Sequence, residues 1–288
     1  MQQQPLRWWN WMNLVGYIVN FCVTWLSLTG IFGPTNGDLS KKYQSLVTPA
    51  GWAFSIWGPI FIWEGVLTVA QMLPGLRASH VSRSVAPFWL FACLCQTGWT
   101  LAFAREAMVL SELLMLGILV GLMGAAFSAD LEDITAKEFW LLRGPLSLHL
   151  GWIICASAVN TNVLAVSHLA GPGSMLAVAI AALVAIAVLA ALYAFAAPKP
   201  DCIPSLVVAW ALLAVDSELQ SARNLQDPSK FNPYVWDAVV LEGMRGAALA
   251  LSVACVGLAV LASVLRFTTT CSAGKIQGSA DQRESLTP

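Results

Sequence analysis

Long apolar stretches separated by short polar breaks dominate the chain. A membrane-spanning helix needs roughly 20 mostly apolar residues. Applied along the chain, that rule predicts eight helices, at about 10–33, 50–73, 86–104, 108–128, 144–168, 174–197, 203–221 and 236–266. The last is longer than a span requires, and Asp216 and Glu218 sit near the end of the seventh. A very short turn around Arg105-Glu106 joins the third and fourth. The sixth is almost entirely Ala, Val, Leu and Ile, which suits a lipid-facing or close-packing helix without chemistry. No internal repeat is visible. Gly58-Pro59 and Gly144-Pro145 do not occupy matching positions, so the paired broken helices of an inverted-repeat transporter are missing. The predicted fold is an all-α, polytopic membrane helix bundle.

Polar positions inside these stretches recur at helical spacing. Asn13, Tyr17, Asn20, Thr24 and Ser27 share one face of the first helix, and Trp57, Phe61, Glu64, Thr68 and Gln71 one face of the second. Ala92, Gln96, Trp99 and Phe103 do the same in the third, and His149, Trp152, Ala156 and Asn160 in the fifth. Polar groups in a membrane helix turn toward neighbouring helices or a cavity rather than toward lipid. Four inward faces that mix tryptophan with amides and a carboxylate suit a pocket for a flat, largely apolar ligand. They equally suit helix-to-helix hydrogen bonding. Glu64 stands apart, because an ionised carboxylate in hydrocarbon costs about 2.5 kcal/mol or more and must be protonated, paired or wet. A second charged group, Asp216, Glu218, Arg223, Asp237, Glu242 and Arg245, lies toward the C-terminus, with Glu242 and Arg245 spaced to pair on one face.

Composition agrees with a membrane protein: 58% of residues are hydrophobic, only 11% are charged, and the mean hydropathy is +0.70. A net charge of −1 points to no nucleic-acid partner. The cysteines form no Cys-x-x-Cys pair, and His80, His149 and His168 are scattered, so metal-ligand spacing is absent. Every lysine falls in a loop or the tail, which excludes a retinal-type Schiff base, and no hydrolase constellation is recognisable. A binding protein rather than an enzyme is expected. The N-terminal stretch MQQQPLRWWNWMN reads as an uncleaved first helix with an interfacial tryptophan anchor. On an eight-helix plan Arg7, Arg77, Arg83, Lys137, Arg143, Lys199, Arg266, Lys275 and Arg283 gather on the side of the termini, against Lys41, Lys42, Arg105, Arg223 and Lys230 on the other, which places both termini in the cytoplasm. Gly117, Gly121 and Gly124-Ala125 form a small-residue face on the fourth helix, open to another helix or to a second subunit in a homo-oligomer.

Three stretches carry a resemblance. Thr48-Pro49-Ala50-Gly51-Trp52-Ala53-Phe54-Ser55-Ile56-Trp57-Gly58 looks like the second-helix signature of the translocator protein family, the tryptophan-rich sensory proteins. Gln96-Thr97-Gly98-Trp99 with Phe103 resembles the third-helix motif, and Trp152 to Asn160 the fifth-helix Trp…Ala…Asn pattern. The motifs cover about residues 10–168. The resemblance implies a five-helix core over 1–170 and a three-helix extension over 171–267; the polar, Ser/Thr-rich composition of 268–288 predicts a disordered tail. It implies a pocket for porphyrins (haem included), sterols or similar molecules, capped by the loop at about 34–49. Trp57, Gln96, Trp99, Trp152, Ala156 and Asn160 match motif positions. Gln96 for Asn, Ala104 for a second Phe and Phe61 for Tyr depart from the pattern.

The expected ligand-binding set is therefore Trp57, Phe61, Glu64, Gln96, Trp99, Phe103, His149, Trp152, Ala156 and Asn160. The expected role is binding a hydrophobic or amphipathic small molecule for sensing or trafficking. A proton- or ion-coupled transporter and a membrane scaffold whose pocket is filled by side chains are the alternatives.

Overall fold

The computed structural model describes residues 5–195, 199–224 and 236–284, with side chains described to Ser221 in the second block and to Arg266 in the third. Among the described residues the chain is built of helices joined by turns and short loops, with no strand. The elements are α1 (Trp8–Ser27), α2 (Asn36–Lys42), a 3-10 turn (Gly51–Ile56), α3 (Trp57–Ala70), α4 (His80–Ser84), α5 (Ala86–Ala104) and α6 (Met108–Ala129). Then follow α7 (Ala136–Glu138), a π turn (Phe139–Arg143), α8 (Gly144–Ser167), α9 (Pro172–Phe195), α10 (Cys202–Asn224) and α11 (Ala238–Glu284). The tail expected over 268–288 falls where no side chain is described, and residues 285–288 lie outside the described residues.

Each predicted apolar stretch is a helix. Among the described residues six segments are long and apolar enough to cross a membrane: Gly51–Ala70, Met108–Ala129, Ala136–Ser167, Pro172–Phe195, Cys202–Ser221 and Ala238–Arg266. The protein is thus an integral, polytopic membrane protein. The other two long helices, α1 and α5, are less apolar because they carry Asn10, Asn13 and Asn20 or Gln96 and Thr100 on buried faces. They pack against each other, so these groups meet protein rather than lipid.

Two prolines shape local structure. Pro59 sits in the first turn of α3, where its missing N–H is one that the helix leaves unpaired anyway. Pro145 occupies the first turn of α8, directly after the π turn that carries the helical path on from α7.

The centre of the bundle is α8, buried over most of its length and bordered by α3, α6, α9 and α10. Close approach requires glycine at two crossings. At Gly121 of α6 an added Cβ would lie 3.0 Å from Phe88 O and 3.1 Å from Ala92 Cβ. At Gly151 of α8 it would lie 2.7 Å from Val207 Cβ and 2.9 Å from Pro204 Cα. The small-residue face of α6 therefore packs on α5 of the same chain.

Arg143, taken from sequence as a loop cation, is completely buried. Its guanidinium bonds Asp130 Oδ2 through Nε at 3.1 Å and Nη2 at 2.9 Å, and lies 3.2 Å from Asp201 Oδ2. Ser147 Oγ donates to Asp201 Oδ2 at 2.6 Å. The cluster fastens the end of α6, the start of α8 and the turn before α10. Such an ion cluster persists in a dry interior because its partners satisfy one another; removing one member costs about 3–5 kcal/mol. The C-terminal charged group also pairs: Arg245 Nε bonds Asp216 Oδ1 at 2.8 Å, with Glu242 3.6 Å away.

Candidate ligand-binding site

The polar stripes face inward as their spacing predicts, and much of their hydrogen-bonding capacity joins helices. Asn13 Nδ2 donates to Gln71 Oε1 at 3.1 Å, tying α1 to the end of α3. Asn20 Nδ2 donates to Gln96 Oε1 at 3.2 Å, tying α1 to α5. Asn160 Oδ1 accepts from Trp99 Nε1 and from Ser111 Oγ, both at 3.1 Å. Its Nδ2 donates to Glu112 Oε2 at 2.7 Å, and the other oxygen of Glu112 accepts from Thr161 Oγ1 at 2.6 Å. Glu112 was absent from the expected set. Its signal was available, since a carboxylate one turn into an apolar helix needs a partner.

The aromatic members of the stripes meet around two adjacent chambers. The inner one encloses about 60 Å³. Trp57, Phe54, Trp99, Phe103 and Trp152 form its aromatic walls, with Ala156 and Asn160 from α8 beside them. The outer one is a vestibule of about 1000 Å³ between α1, α2 and the start of α3, and Trp57, Phe54, Asn36, Ser40 and Pro49 border both. Phe21, Trp25, Leu28, Phe61 and Ile62 line the vestibule. Trp25, Leu28 and Ile62 are also exposed on the outer surface of the bundle, so the vestibule reaches the lipid-facing side.

The 3-10 turn Gly51–Ile56 explains why the tryptophan-rich stretch forms a site. It tightens the entry to α3, stacks Trp57 on Phe61 with centroids 5.7 Å apart, and leaves Trp57 edge-on to Trp152 at 6.1 Å. Phe54 meets Trp152 at 5.7 Å. Of the expected residues, Trp57, Trp99, Phe103, Trp152, Ala156 and Asn160 line the inner chamber, and Trp57 and Phe61 the vestibule. Glu64, Gln96 and His149 line neither. Gln96 is committed to Asn20, and Glu64 to a buried contact with His149 and Trp89.

Sequence reasoning missed the rest of the wall. Ala211, Leu212 and Val215 of α10, with Leu183 and Ile186 of α9, close the inner chamber. The pocket therefore draws its lining from both sides of residue 170. Three contacts hold α10 to the segment before α3: Ala50 N donates to Ala214 O at 2.9 Å, Trp52 stands edge-on to Trp210 at 4.6 Å, and Gln44 Nε2 donates to Glu218 Oε1 at 2.7 Å. The small apolar side chains of α9 and α10 carry no chemical signal of their own.

A lid covers the chambers. Thr35 and Asp38 form a capping box that starts α2, and Leu39, Leu46 and Val47 are buried beneath it. Lys42 and the Tyr43 hydroxyl both reach Glu106 in the turn between α5 and α6. Those hydrogen bonds hold the Glu106 carboxyl below the usual glutamate range, and Glu106 raises the Lys42 ammonium in turn.

A family model described as TSPO-like protein matches residues 10–264. The chain belongs to the TSPO-like family. The match runs well past residue 168, where the motif resemblance ends, and takes in α9, α10 and the apolar part of α11. Searches among curated proteins and among solved structures each found no match. In this TSPO-like chain the polar atoms around the inner chamber are largely used up. Trp99 Nε1 and the Asn160 amide are bonded, whereas Trp152 Nε1 is buried without a hydrogen-bond partner. A buried donor left unpaired costs about 1–3 kcal/mol.

Proposed function

We propose that this TSPO-like protein is a membrane receptor or carrier for a flat, amphipathic small molecule of tetrapyrrole or sterol type, used in sensing or trafficking. The observation that carries the reading is the aromatic vestibule of about 1000 Å³ that reaches both the lid and the lipid-facing surface. Ligand pockets run to roughly 300–1,000 Å³, so the vestibule holds the body of such a ligand. The inner chamber, at about 60 Å³, admits only an edge or substituent. A substituent with an acceptor atom would meet the free N–H of Trp152. The mouth supplies Lys41, Gln44 and Ser40 for a polar end. Entry from the bilayer, between α1 and α3, follows from the exposed Trp25 and Ile62.

The donor set favours a metal-free ring. Among the described residues no His, Cys, Met or Tyr lines the vestibule, so its wall offers none of the usual axial ligands to a haem iron, and Met115 and Cys155 border only the small inner chamber. The scaffold alternative fits less well, because a space remains beside Trp57 and Trp152. The proposed topology keeps both termini in the cytoplasm, on the weight of Arg7, Arg77, Arg83, Lys137, Lys199 and Arg266.

The test is quenching of tryptophan fluorescence by protoporphyrin IX in nanodiscs. Saturable quenching weakened by Phe61→Ala, and less so by Trp152→Phe, supports a ligand seated in the vestibule. Non-saturating quenching indifferent to both substitutions removes the reading.

A further inference from the structure

Behind Trp57, away from both chambers, lies a buried acid–base pair. Glu64 of α3 and His149 of α8 are at most 2% exposed. Glu64 Oε1 lies 2.8 Å from His149 Nδ1 and accepts from Trp89 Nε1 at 3.1 Å. The outward atoms of the pair, Glu64 Oε2 and His149 Nε2, have no hydrogen-bond partner. With a single proton, on the Oε1–Nδ1 contact, the pair is a carboxylate and a neutral imidazole and carries one negative charge inside the bundle; a second proton, on Nε2 or Oε2, makes it neutral.

Among the described residues, Tyr17 of α1 and Cys93 of α5 interact electrostatically with Glu64. The charged groups on the other elements around α8 are engaged elsewhere. Arg143 of the π turn is held by Asp130 and Asp201, with Tyr193 of α9 near it. Glu112 of α6 holds Asn160 and Thr161, and Asp216 and Glu218 of α10 hold Arg245 and Gln44.

The pair also touches the pocket wall. The imidazole of His149 stands edge-on to Trp57 with centroids 5.7 Å apart, and Trp57 borders both chambers. A charge brought into the pocket therefore lies one ring away from a group that can change its own charge, in a medium that screens poorly.

We propose that Glu64 and His149 form a proton-binding site linked to the pocket, so that an acidic ligand binds together with a proton. This rests on the ligand-binding reading above. The proton comes from bulk solution and lands on one of the two free atoms of the pair. No bond other than that to hydrogen forms or breaks. By linkage, the factor by which the bound acid raises the affinity for the proton is the factor by which the bound proton raises the affinity for the acid.

Two measurements test it on the full chain in nanodiscs. The first needs no ligand: the imidazole 15N resonances of the three histidines are followed against pH. Glu64→Gln is expected to change the His149 curve, with those of His80 and His168 unmoved. If Glu64→Gln does not fold, Trp89→Phe, which removes the competing donor on Oε1, takes its place. A His149 curve that ignores both changes overturns the proposal.

The second is calorimetric titration in two buffers of different ionisation enthalpy, with protoporphyrin IX, a dicarboxylic acid, and with its uncharged dimethyl ester. Net proton uptake with the acid, absent with the ester and lost in Glu64→Gln, is expected. Saturable binding of both without proton uptake overturns the linkage and leaves a structural pair. If neither porphyrin saturates the protein, the ligand-binding reading falls and takes the linkage with it, while the 15N shift still decides the pair by itself.

Discussion

Replacing Gly151 with alanine should push α10 away from α8. The added methyl would sit 2.7 Å from Val207 Cβ, 2.9 Å from Pro204 Cα and 3.0 Å from Pro204 O. Ordinary carbon contacts lie nearer 3.5–4.0 Å, so α10 must retreat by roughly half an ångström or more. Two of the three obstructing atoms are backbone and cannot rotate aside. Overpacking of this kind costs about 1–3 kcal/mol, set against a gain of about 1 kcal/mol from replacing glycine in a helix. Gly243 of α11 separates the two terms, because an alanine there meets nothing within 4 Å. Gly151→Ala and Gly243→Ala share the helix-propensity gain, so their difference in stability isolates the clash at about 1–3 kcal/mol. Reversible unfolding in mixed micelles measures it. The consequence for the pocket follows, since α10 carries Ala211, Leu212 and Val215 against the inner chamber. Quenching by protoporphyrin IX should weaken in Gly151→Ala and stay unchanged in Gly243→Ala. Equal stabilities for the two variants, within about 0.5 kcal/mol, would refute the close crossing and the wall built on it.

Other outcomes can be checked in the same preparations. Arg143→Met leaves Asp130 and Asp201 unpaired in the interior and should cost about 3–5 kcal/mol, read in the same unfolding assay. Glu112→Ala strips the acceptor from Asn160 and Thr161; about 1–3 kcal/mol should be lost, and the emission of Trp99 should shift as its acceptor loosens. Glu106 has a folded pKa below its unfolded value, so its contribution is present above the ordinary glutamate range and is lost as pH falls through the folded pKa. Protection factors against hydrogen exchange over residues 35–48, corrected for the pH dependence of intrinsic exchange, should therefore fall at acidic pH, and Glu106→Gln should lower them at neutral pH; a lid indifferent to both would show that the Lys42–Glu106 contact does not hold it.

The sequence by itself determined the helices and which way each one faces. Asn13 and Asn20, Glu64 and Thr68, Gln96 and Trp99, Trp152 and Asn160 recur at helical spacing, and hydrocarbon rejects polar groups, so their faces had to turn inward. That argument is local to one helix and needs no partner. The motifs at the entry to α3 and within α5 and α8 carried the family resemblance for the same reason, being short and contiguous. Only the tertiary structure decided what each inward group meets. It gave Gln96 to Asn20 and took the Asn160 amide for Trp99, Ser111 and Glu112. It set Glu64 against His149, 85 positions away in the chain. It also buried Arg143, which spacing and charge had assigned to a loop, and brought the featureless α9 and α10 against the aromatic chamber. Such pairings depend on how separate helices cross, at glycines such as Gly121 and Gly151 where two backbones come close. The period of one helix carries no record of the surface its neighbour presents.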